Sequence, residues 1–247
     1  FPDGGGDINP IQVGLLRGEA PMQVVSGPIG KQTVHFEAPP RVSLEAELDN
    51  FIEWFNQTQD DRSLDPLLRA GIAHLWFVTL HPFEDGNGRM ARAITDLALA
   101  QAEQQSIRFY AMAATIMKYR KAYYDILEKT QRGHLDITEW LDWFLSMLQL
   151  ALQDAKTRID HVLQKAKFWQ RYRDQALSAR QVKVLNRLLD AGPDGFEGGL
   201  NARKYMGLTG VSKATATRDL TDLLEKGCLF LRDGGGRSTG YDINWPG

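Results

Sequence analysis

The chain has 247 residues, 43% of them hydrophobic, six tryptophans and a formal net charge of −2. This length accommodates one large domain or two of ordinary size, and the charge gives no general attraction to nucleic acid or anionic membrane. Cys228 is the only cysteine, which excludes an intrachain disulfide and is typical of a cytoplasmic protein. We find no signal peptide and no apolar run long enough to span a bilayer. Because the sequence begins at Phe1 rather than Met, we expect the natural chain to continue upstream.

The first predicted elements are a loop and a β-hairpin. Residues 1–16 are rich in Gly and Asp, which is typical of a loop. Two short strand-like runs, 22–26 and 33–36, flank the turn sequence Gly-Pro-Ile-Gly at 27–30. This pattern predicts a hairpin.

Two helices are predicted next. Ser43 is expected to be the N-cap of an amphipathic helix over residues 45–55. A second helix is expected to begin at Asp65 and to run to Leu80, and its interior is apolar nearly all round. Such a helix is buried, so His74 within it is interpreted as a hydrogen-bonded core histidine rather than a catalytic group.

A dense group of polar residues and glycines follows at 81–92. The proline after His81 disfavours helical backbone at the preceding residue, so the helix should end there. The run Gly86, Asn87 and Gly88 tolerates the positive φ angles of a tight turn. Successive N–H groups in such a turn, together with the N-terminus of a following helix, form an anion site.

Charged side chains complete this predicted phosphate site. Arg89 and Arg92 are three residues apart and project from one face near the helix start. Asp85 is a hard oxygen ligand that suits Mg²⁺, which commonly binds through one carboxylate plus substrate phosphates. His81 is left as the side chain that accepts a proton near neutral pH. Each feature alone is commonly structural, but their combination in one short segment indicates a polyphosphate site beside a base.

The segment 81–92 resembles the Fic-domain signature, His-Pro-Phe-x-(Asp/Glu)-Gly-Asn-Gly-Arg-x-x-Arg, at every specified position. Fic enzymes mostly transfer AMP from ATP to a protein hydroxyl. The resemblance implies that His81 is the general base for that hydroxyl and that Phe83 anchors the loop. The remaining implied roles concern ATP and its metal: Asp85 for Mg²⁺, Gly86, Asn87 and Gly88 for the α- and β-phosphates, Arg89 for the β-phosphate and Arg92 for the γ-phosphate.

The same resemblance implies that the hairpin is a flap. It would pair with an extended segment of the target protein and present its hydroxyl to His81. Many Fic proteins also carry an inhibitory helix, (Ser/Thr)-x-x-x-Glu-(Gly/Asn), whose Glu pairs with the arginine at position 92. Residues 43–47 and 221–225 match its first half but are followed by Leu and Lys. The element is therefore absent or lies upstream of Phe1, and we expect the second.

Helical periodicity covers residues 91–101, 113–131 and 138–167. Tyr124 lies where related Fic proteins have residues near the adenine pocket, which makes it a candidate nucleotide-binding residue. Packing of a helix pair is an equal alternative for this tyrosine. Residues 161–177 are polar and helical, and we interpret them as a connector.

The C-terminal part predicts a second domain, over residues 178–247. Its pattern is helix, short helix, turn, a helix capped by Ser212, and two strands joined by a glycine-rich loop that contains Arg237. This is the order of a winged helix. By analogy the helix from Ser212 would contact DNA through Lys213, Thr215, Thr217 and Arg218. Winged helices also serve as protein-interaction modules, so both alternatives stay open.

The expected fold class is therefore mostly α: a Fic-type helical bundle with a β-hairpin flap over 1–160, then the connector and the winged helix. The expected function is a protein adenylyltransferase that uses ATP and Mg²⁺ to modify a Tyr, Ser or Thr hydroxyl. The alternatives are a DNA-binding regulator with a nucleotide-sensing Fic domain, transfer of UMP, and removal of AMP. The expected partners are a target protein on the flap and DNA at the winged helix, with a homodimer left open and no membrane contact.

Overall fold

The computed structural model divides into two compact units, residues 1–155 and residues 156–247. It describes residues 14–28, 31–104, 108–192, 198–232 and 240–246. The elements in chain order are β1 (Gln23–Ser26), β2 (Thr33–Glu37), α1 (Arg41–Gln57), α2 (Pro66–Leu80), α3 (Asn87–Glu103), α4 (Met112–Lys118), α5 (Arg120–Arg132), α6 (Thr138–Arg171), α7 (Ala179–Ala191), α8 (Ala202–Thr209), α9 (Lys213–Glu225), β3 (Leu229–Leu231) and β4 (Tyr241–Ile243). The predicted class, mostly α-helical with a small antiparallel hairpin, is confirmed.

Helix α2 is the centre of the first unit's core. Its N-cap residue Asp65 accepts a hydrogen bond from the backbone N–H of Leu67 at 2.8 Å, and a proline fills the first helical position. Gly71 lets α6 approach closely, since a Cβ there would lie 3.0 Å from a side-chain atom of Leu141 and 3.1 Å from one of Phe144. The predicted start and burial of this helix are therefore confirmed.

Buried polar side chains join the helices around α2. The Trp140 indole on α6 is fully buried and donates to the carbonyl of Gly71 at 2.9 Å. The buried Arg69 guanidinium on α2 donates to the carbonyl of Phe55 on α1 at 2.6 Å and to Gln101 on α3 at 3.0 Å. These contacts satisfy the buried donors and link α1, α3 and α6 to α2.

Two helix boundaries differ from the sequence prediction. Helix α1 begins at Arg41, directly after the prolines that end the extended segment, so Ser43 lies in its first turn instead of at the cap. The Ser43 hydroxyl donates to the carbonyl of Pro40 at 3.0 Å. The predicted helix over 113–131 is two helices that meet at Tyr119. Residues on both sides favour helix, so periodicity could not locate the break.

His74 is fully buried on α2, as the sequence predicts for a core histidine. Its Nδ1 lies 2.8 Å from the Thr95 hydroxyl and its Nε2 lies 2.9 Å from the Tyr123 hydroxyl. Because Thr95 donates its own proton to the carbonyl of Ala91, Nδ1 carries the ring proton and Nε2 accepts from Tyr123. Burial, and secondly the charge of Arg92, lowers the pKa of His74 to about 3. The ring is therefore neutral.

We expect His74 to make the protein sensitive to acid. In the unfolded chain the ring binds a proton below about pH 6.5, whereas the buried ring does so only near pH 3. Stability present above pH 6.5 is therefore lost as the pH falls through this window, by about 1.4 kcal/mol per pH unit for one proton. Urea unfolding at several pH values should give a shallower pH dependence for His74→Gln than for the wild type.

The control for this prediction is His134→Gln, which removes an exposed histidine. This variant should keep the wild-type dependence of the unfolding free energy on pH. If His74→Gln also keeps it, protonation of His74 does not contribute to acid unfolding.

Strands β1 and β2 form the predicted hairpin, a two-stranded antiparallel sheet. The register pairs Val25 with Val34 but Val24 with Phe36, so His35 is an extra residue at a bulge. A bulge bends the strand and redirects a side chain. Each strand keeps one edge without a partner strand among the described residues, and such an edge can accept an added strand.

The second unit contains α7, α8, α9 and the hairpin of β3 and β4. The cap predicted from the sequence is present, since Ser212 caps α9. Ser178 also caps α7, in a capping box, and Asn201 caps α8. The buried Tyr205 hydroxyl donates to Asp219 on α9 at 2.9 Å. The order of elements is the predicted one, and the assignment to the winged-helix class stays a prediction.

The predicted connector over 161–177 contributes Phe168 and Tyr172 to the core of this second unit, where both are buried. Arg237 of the predicted wing lies outside the described residues. Within the described ranges, no helix has both the length and the apolar character needed to cross a membrane.

Candidate active site

His81 lies at the C-terminus of α2, where the sequence predicts the helix to end. Its backbone is left-handed, with φ 48° and ψ 55°, which is uncommon for a residue other than glycine. Its Nδ1 lies 3.2 Å from the carbonyl of Val78. A carbonyl only accepts, so Nδ1 carries the proton and Nε2 keeps its lone pair. The ring thus has one nitrogen available to accept a proton.

The surroundings of His81 favour the neutral ring. Burial of the imidazole lowers its pKa from the ordinary value, the hydrogen bond to Val78 opposes this change, and the nearby charge of Arg17 lowers the pKa further. A neutral imidazole at neutral pH is the form required of a general base.

The loop between α2 and α3 is closed by the side chain of Asn87. This side chain is buried, donates to the carbonyl of Phe83 at 2.7 Å and accepts from the Phe83 N–H at 3.0 Å. Gly86 precedes α3 with φ 85°. Gly88, which the sequence analysis placed in the turn, already lies in the first turn of α3, because the helix begins at Asn87.

Charged residues surround this helix start. Asp85 and Arg89 pair at 3.1 Å, with 60% and 74% of their side chains exposed. An ion pair this exposed contributes little stability, so a phosphate group can replace the carboxylate as partner of Arg89. The first N–H groups of α3 have no acceptor within the helix and carry the positive end of its dipole. This end of α3 is therefore suited to bind anions.

These groups line one cavity of about 1000 Å³ in the first unit. This volume lies at the upper end of the range for small-molecule sites. The cavity brings together all the predicted site residues: His81, Asp85, Gly86, Asn87, Gly88, Arg89, Arg92 and Tyr124. Tyr124 is 46% exposed, and the Arg120 guanidinium lies 5.4 Å from the centre of its ring. The position of Tyr124 is thus open to a ligand, whereas Tyr123 is turned into the core.

A chain of contacts that no sequence pattern predicts joins the hairpin to α5. The bulged His35 places Nδ1 2.6 Å from Glu128 on α5 and Nε2 2.5 Å from the Ser26 hydroxyl on β1. Arg132 on α5 also donates to the carbonyl of Val34, at 2.5 Å. No local pattern relates residues this far apart in the chain. The chain of contacts holds the hairpin at the cavity wall.

Arg17 makes a second contact that no sequence pattern predicts. It is buried, and its guanidinium reaches the carbonyl of His81 at 3.0 Å. A single arginine after a loop-like, glycine-rich stretch looks like an ordinary surface charge, so only the fold could identify it.

Comparison with known proteins gives a consistent assignment. Residues 6–99 match the Fic/DOC family. The protein adenylyltransferase fic-1 of Caenorhabditis briggsae is 35% identical over 97 residues, which is 39% of this chain and 17% of that protein. A probable protein adenylyltransferase of Aquifex aeolicus (strain VF5) is 25% identical over 116 residues, 44% of this chain and 35% of that protein.

A solved structure is also similar. The crystal structure of a Fic family protein from Desulfovibrio desulfuricans G20 has a TM-score of 0.44 and 21% sequence identity, and the match covers 88% of this chain and 60% of that one. The matched residues 6–99 contain both the hairpin and the segment 81–92. Residues 6–99 thus match the Fic/DOC family, and they include His81 to Arg92, the segment that resembles the family signature.

Proposed function

We propose that the protein transfers AMP from ATP to a hydroxyl group of a target protein. The observation that carries this proposal is the shared cavity: the free Nε2 of a neutral His81, an anion-binding helix start and the edge of a hairpin all border it. The adenylyltransferase names of the relatives support the proposal. The chain spans only 17% and 35% of the length of the two relatives described above, so the activity has to be argued from this site.

In the proposed reaction the target segment binds along the edge of the hairpin and brings its Tyr, Ser or Thr hydroxyl to His81. The hydroxyl oxygen attacks the α-phosphorus of ATP while the bond from that phosphorus to the β-phosphate oxygen breaks. The hydroxyl proton passes to Nε2 of His81, and pyrophosphate leaves. Nδ1, held by Val78, fixes the ring orientation during this transfer.

The loop and α3 would bind the triphosphate. The N–H groups at Gly86, Asn87 and Gly88 provide fixed donors for phosphate oxygens, and Arg89 and Arg92 provide positive charge for the departing pyrophosphate. Fixed donors and charges of this kind need no rearrangement as negative charge develops in the transition state. Tyr124, partly exposed at the same cavity, would contact the adenine ring of ATP.

The side chains present here fit Mg²⁺ as the metal. Asp85 offers one exposed carboxylate at the cavity, and within the described residues no group of three or more His, Cys, Asp or Glu side chains could hold a metal alone. Such a donor set suits Mg²⁺, which binds through one or two carboxylates plus substrate phosphates. We propose that Asp85 holds this ion, which when bound offsets phosphate charge.

Labelled nucleotides test the proposal. The protein is incubated with Mg²⁺, a cell lysate and ATP labelled at either the α- or the γ-phosphate, and labelled proteins are then separated. We expect label from the α position alone, and none after chelation of the metal. Label from the γ position would identify a phosphorylating enzyme, and no label from either position with any protein would contradict AMP transfer.

The same experiment separates the alternatives within the enzyme class. Transfer from α-labelled UTP in preference to ATP would indicate a uridylyltransferase. Loss of label from proteins that were modified beforehand would indicate removal of AMP. The intact anion site and both arginines favour a nucleoside triphosphate as substrate.

DNA binding by the second unit is a further candidate function. Lys213, Thr217 and Arg218 are exposed on α9, the helix that would read DNA in a winged helix. Titration of the full chain with duplex DNA at two salt concentrations tests it. Binding that weakens as the salt concentration rises, and that Lys213→Ala and Arg218→Ala reduce, would support this function.

A further inference from the structure

Arg17 makes several contacts to the loop that carries His81. Its side chain is 2% exposed. Its Nε donates to the carbonyl of His81 at 3.0 Å, and its backbone N–H donates to the carbonyl of Pro82 at 2.9 Å. Its terminal nitrogen donates to the carbonyl of Pro39, and its own carbonyl accepts from Nε of Arg41 at 2.9 Å.

Two of these contacts hold the carbonyls of the successive residues His81 and Pro82. A non-glycine residue in the left-handed region costs on the order of 1–3 kcal/mol and persists only when its surroundings hold it. Arg17 supplies that constraint from outside the signature segment, because its side chain and its backbone each hold one of two successive carbonyls.

The contact to Pro39 extends this constraint to the hairpin. Pro39 lies two residues after β2, so one guanidinium bridges the segment that leaves the hairpin and the residue that carries the base. A reaction between a hydroxyl presented at the hairpin and Nε2 of His81 depends on the distance between these two parts.

We propose that Arg17 is a positioning residue for the transfer reaction. It fixes the position of the His81 imidazole relative to the hairpin that presents the target hydroxyl. The inference rests on the proposed function. Arg17 lies outside the residues that line the cavity, so it acts on His81, through the backbone carbonyl and through its nearby charge, and not by contact with the nucleotide. Its removal should therefore affect the rate of transfer and leave the binding of ATP unchanged.

The test compares Arg17→Met, Arg17→Lys and Arg41→Met in the full chain, with α-labelled ATP. Misplacement of a catalytic group by about 1 Å can lower a rate about 100-fold. We expect Arg17→Met to lower kcat by about 10- to 100-fold, with KM for ATP within about twofold of wild type. Arg17→Lys, which keeps one donor, should recover part of kcat.

Arg41→Met is the matched control, because it removes a guanidinium that holds the backbone of Arg17 without touching His81. We expect kcat close to wild type for it. Unchanged kcat in Arg17→Met would overturn the proposal. A parallel loss of kcat, ATP binding and thermal stability, with no recovery in Arg17→Lys, would also overturn it, since it would show a general structural role.

A second measurement does not depend on transfer. In protein labelled with ¹³C at histidine, the ring signal of His81 is assigned by its loss in His81→Gln, among the five histidines of the chain. We expect this signal to shift in Arg17→Met and to keep its position in Arg41→Met. If the wild type transfers no AMP but the signal shifts as expected, the proposed function fails while the positioning of His81 by Arg17 stands.

Discussion

Replacing His81 by alanine should lower AMP transfer by about 10²- to 10⁴-fold, which is the usual effect of removing a general base. Nε2 of the ring is the acceptor nitrogen at the cavity, because Nδ1 donates to the carbonyl of Val78. Burial lowers the pKa of the imidazole, which favours the neutral ring. The helix end should persist, because the backbone N–H of His81 still donates to the carbonyl of Phe77. The measurement is the initial rate of label transfer from α-labelled ATP.

The matched control for this prediction is His134→Ala, which removes an exposed histidine beyond α5 and should transfer AMP at the wild-type rate. Circular dichroism and thermal unfolding of His81→Ala should match the wild type. A His81→Ala variant that is folded and still transfers label at the wild-type rate would show that another group accepts the proton.

The sequence was most informative where function depends on neighbouring residues. His81, Asp85 and the two arginines are close in the chain, so their spacing alone predicts that they meet at one helix start. The helix starts at Asp65 and Ser212 also follow from local chemistry and are present as expected. Both the site segment and the helix starts depend on residues that are neighbours in the chain, so the sequence alone predicts them.

Contacts between distant segments could not be predicted in this way. The pairing of His35 with Glu128 depends on a bulge that shifts the strand register by one residue. The contact of Arg17 with His81 spans 64 positions. The residues around His35 and Arg17 in the sequence do not distinguish these side chains from ordinary solvent-exposed ones. The prediction for Ser43 was wrong for a local reason: α1 begins at Arg41, directly after Pro40, so Ser43 lies in its first turn.

Replacing Asn87 by alanine should affect stability and activity together. Its amide makes both hydrogen bonds to the backbone of Phe83, and alanine leaves that N–H and carbonyl without this partner. Each buried group left unpaired costs about 1–3 kcal/mol. The loop that orients the phosphate-binding N–H groups should open, and transfer should fall by about 100-fold. Urea unfolding and the rate of label transfer measure the two effects.

Asn87→Asp changes the two hydrogen bonds differently, because aspartate still accepts from the Phe83 N–H but has no proton to donate to the Phe83 carbonyl, which its second oxygen would face. We expect a loss of unfolding free energy at least as large as for alanine, because the carboxylate is buried and faces an acceptor. The carboxylate charge also repels the triphosphate, so the loss of transfer should be at least as large. Asn56→Ala, at an exposed position near the end of α1, should change the unfolding free energy by no more than about 0.5 kcal/mol. It should transfer label at the wild-type rate. Full activity in Asn87→Asp would contradict an anion site at the start of α3, because a fixed carboxylate there and a bound triphosphate exclude each other.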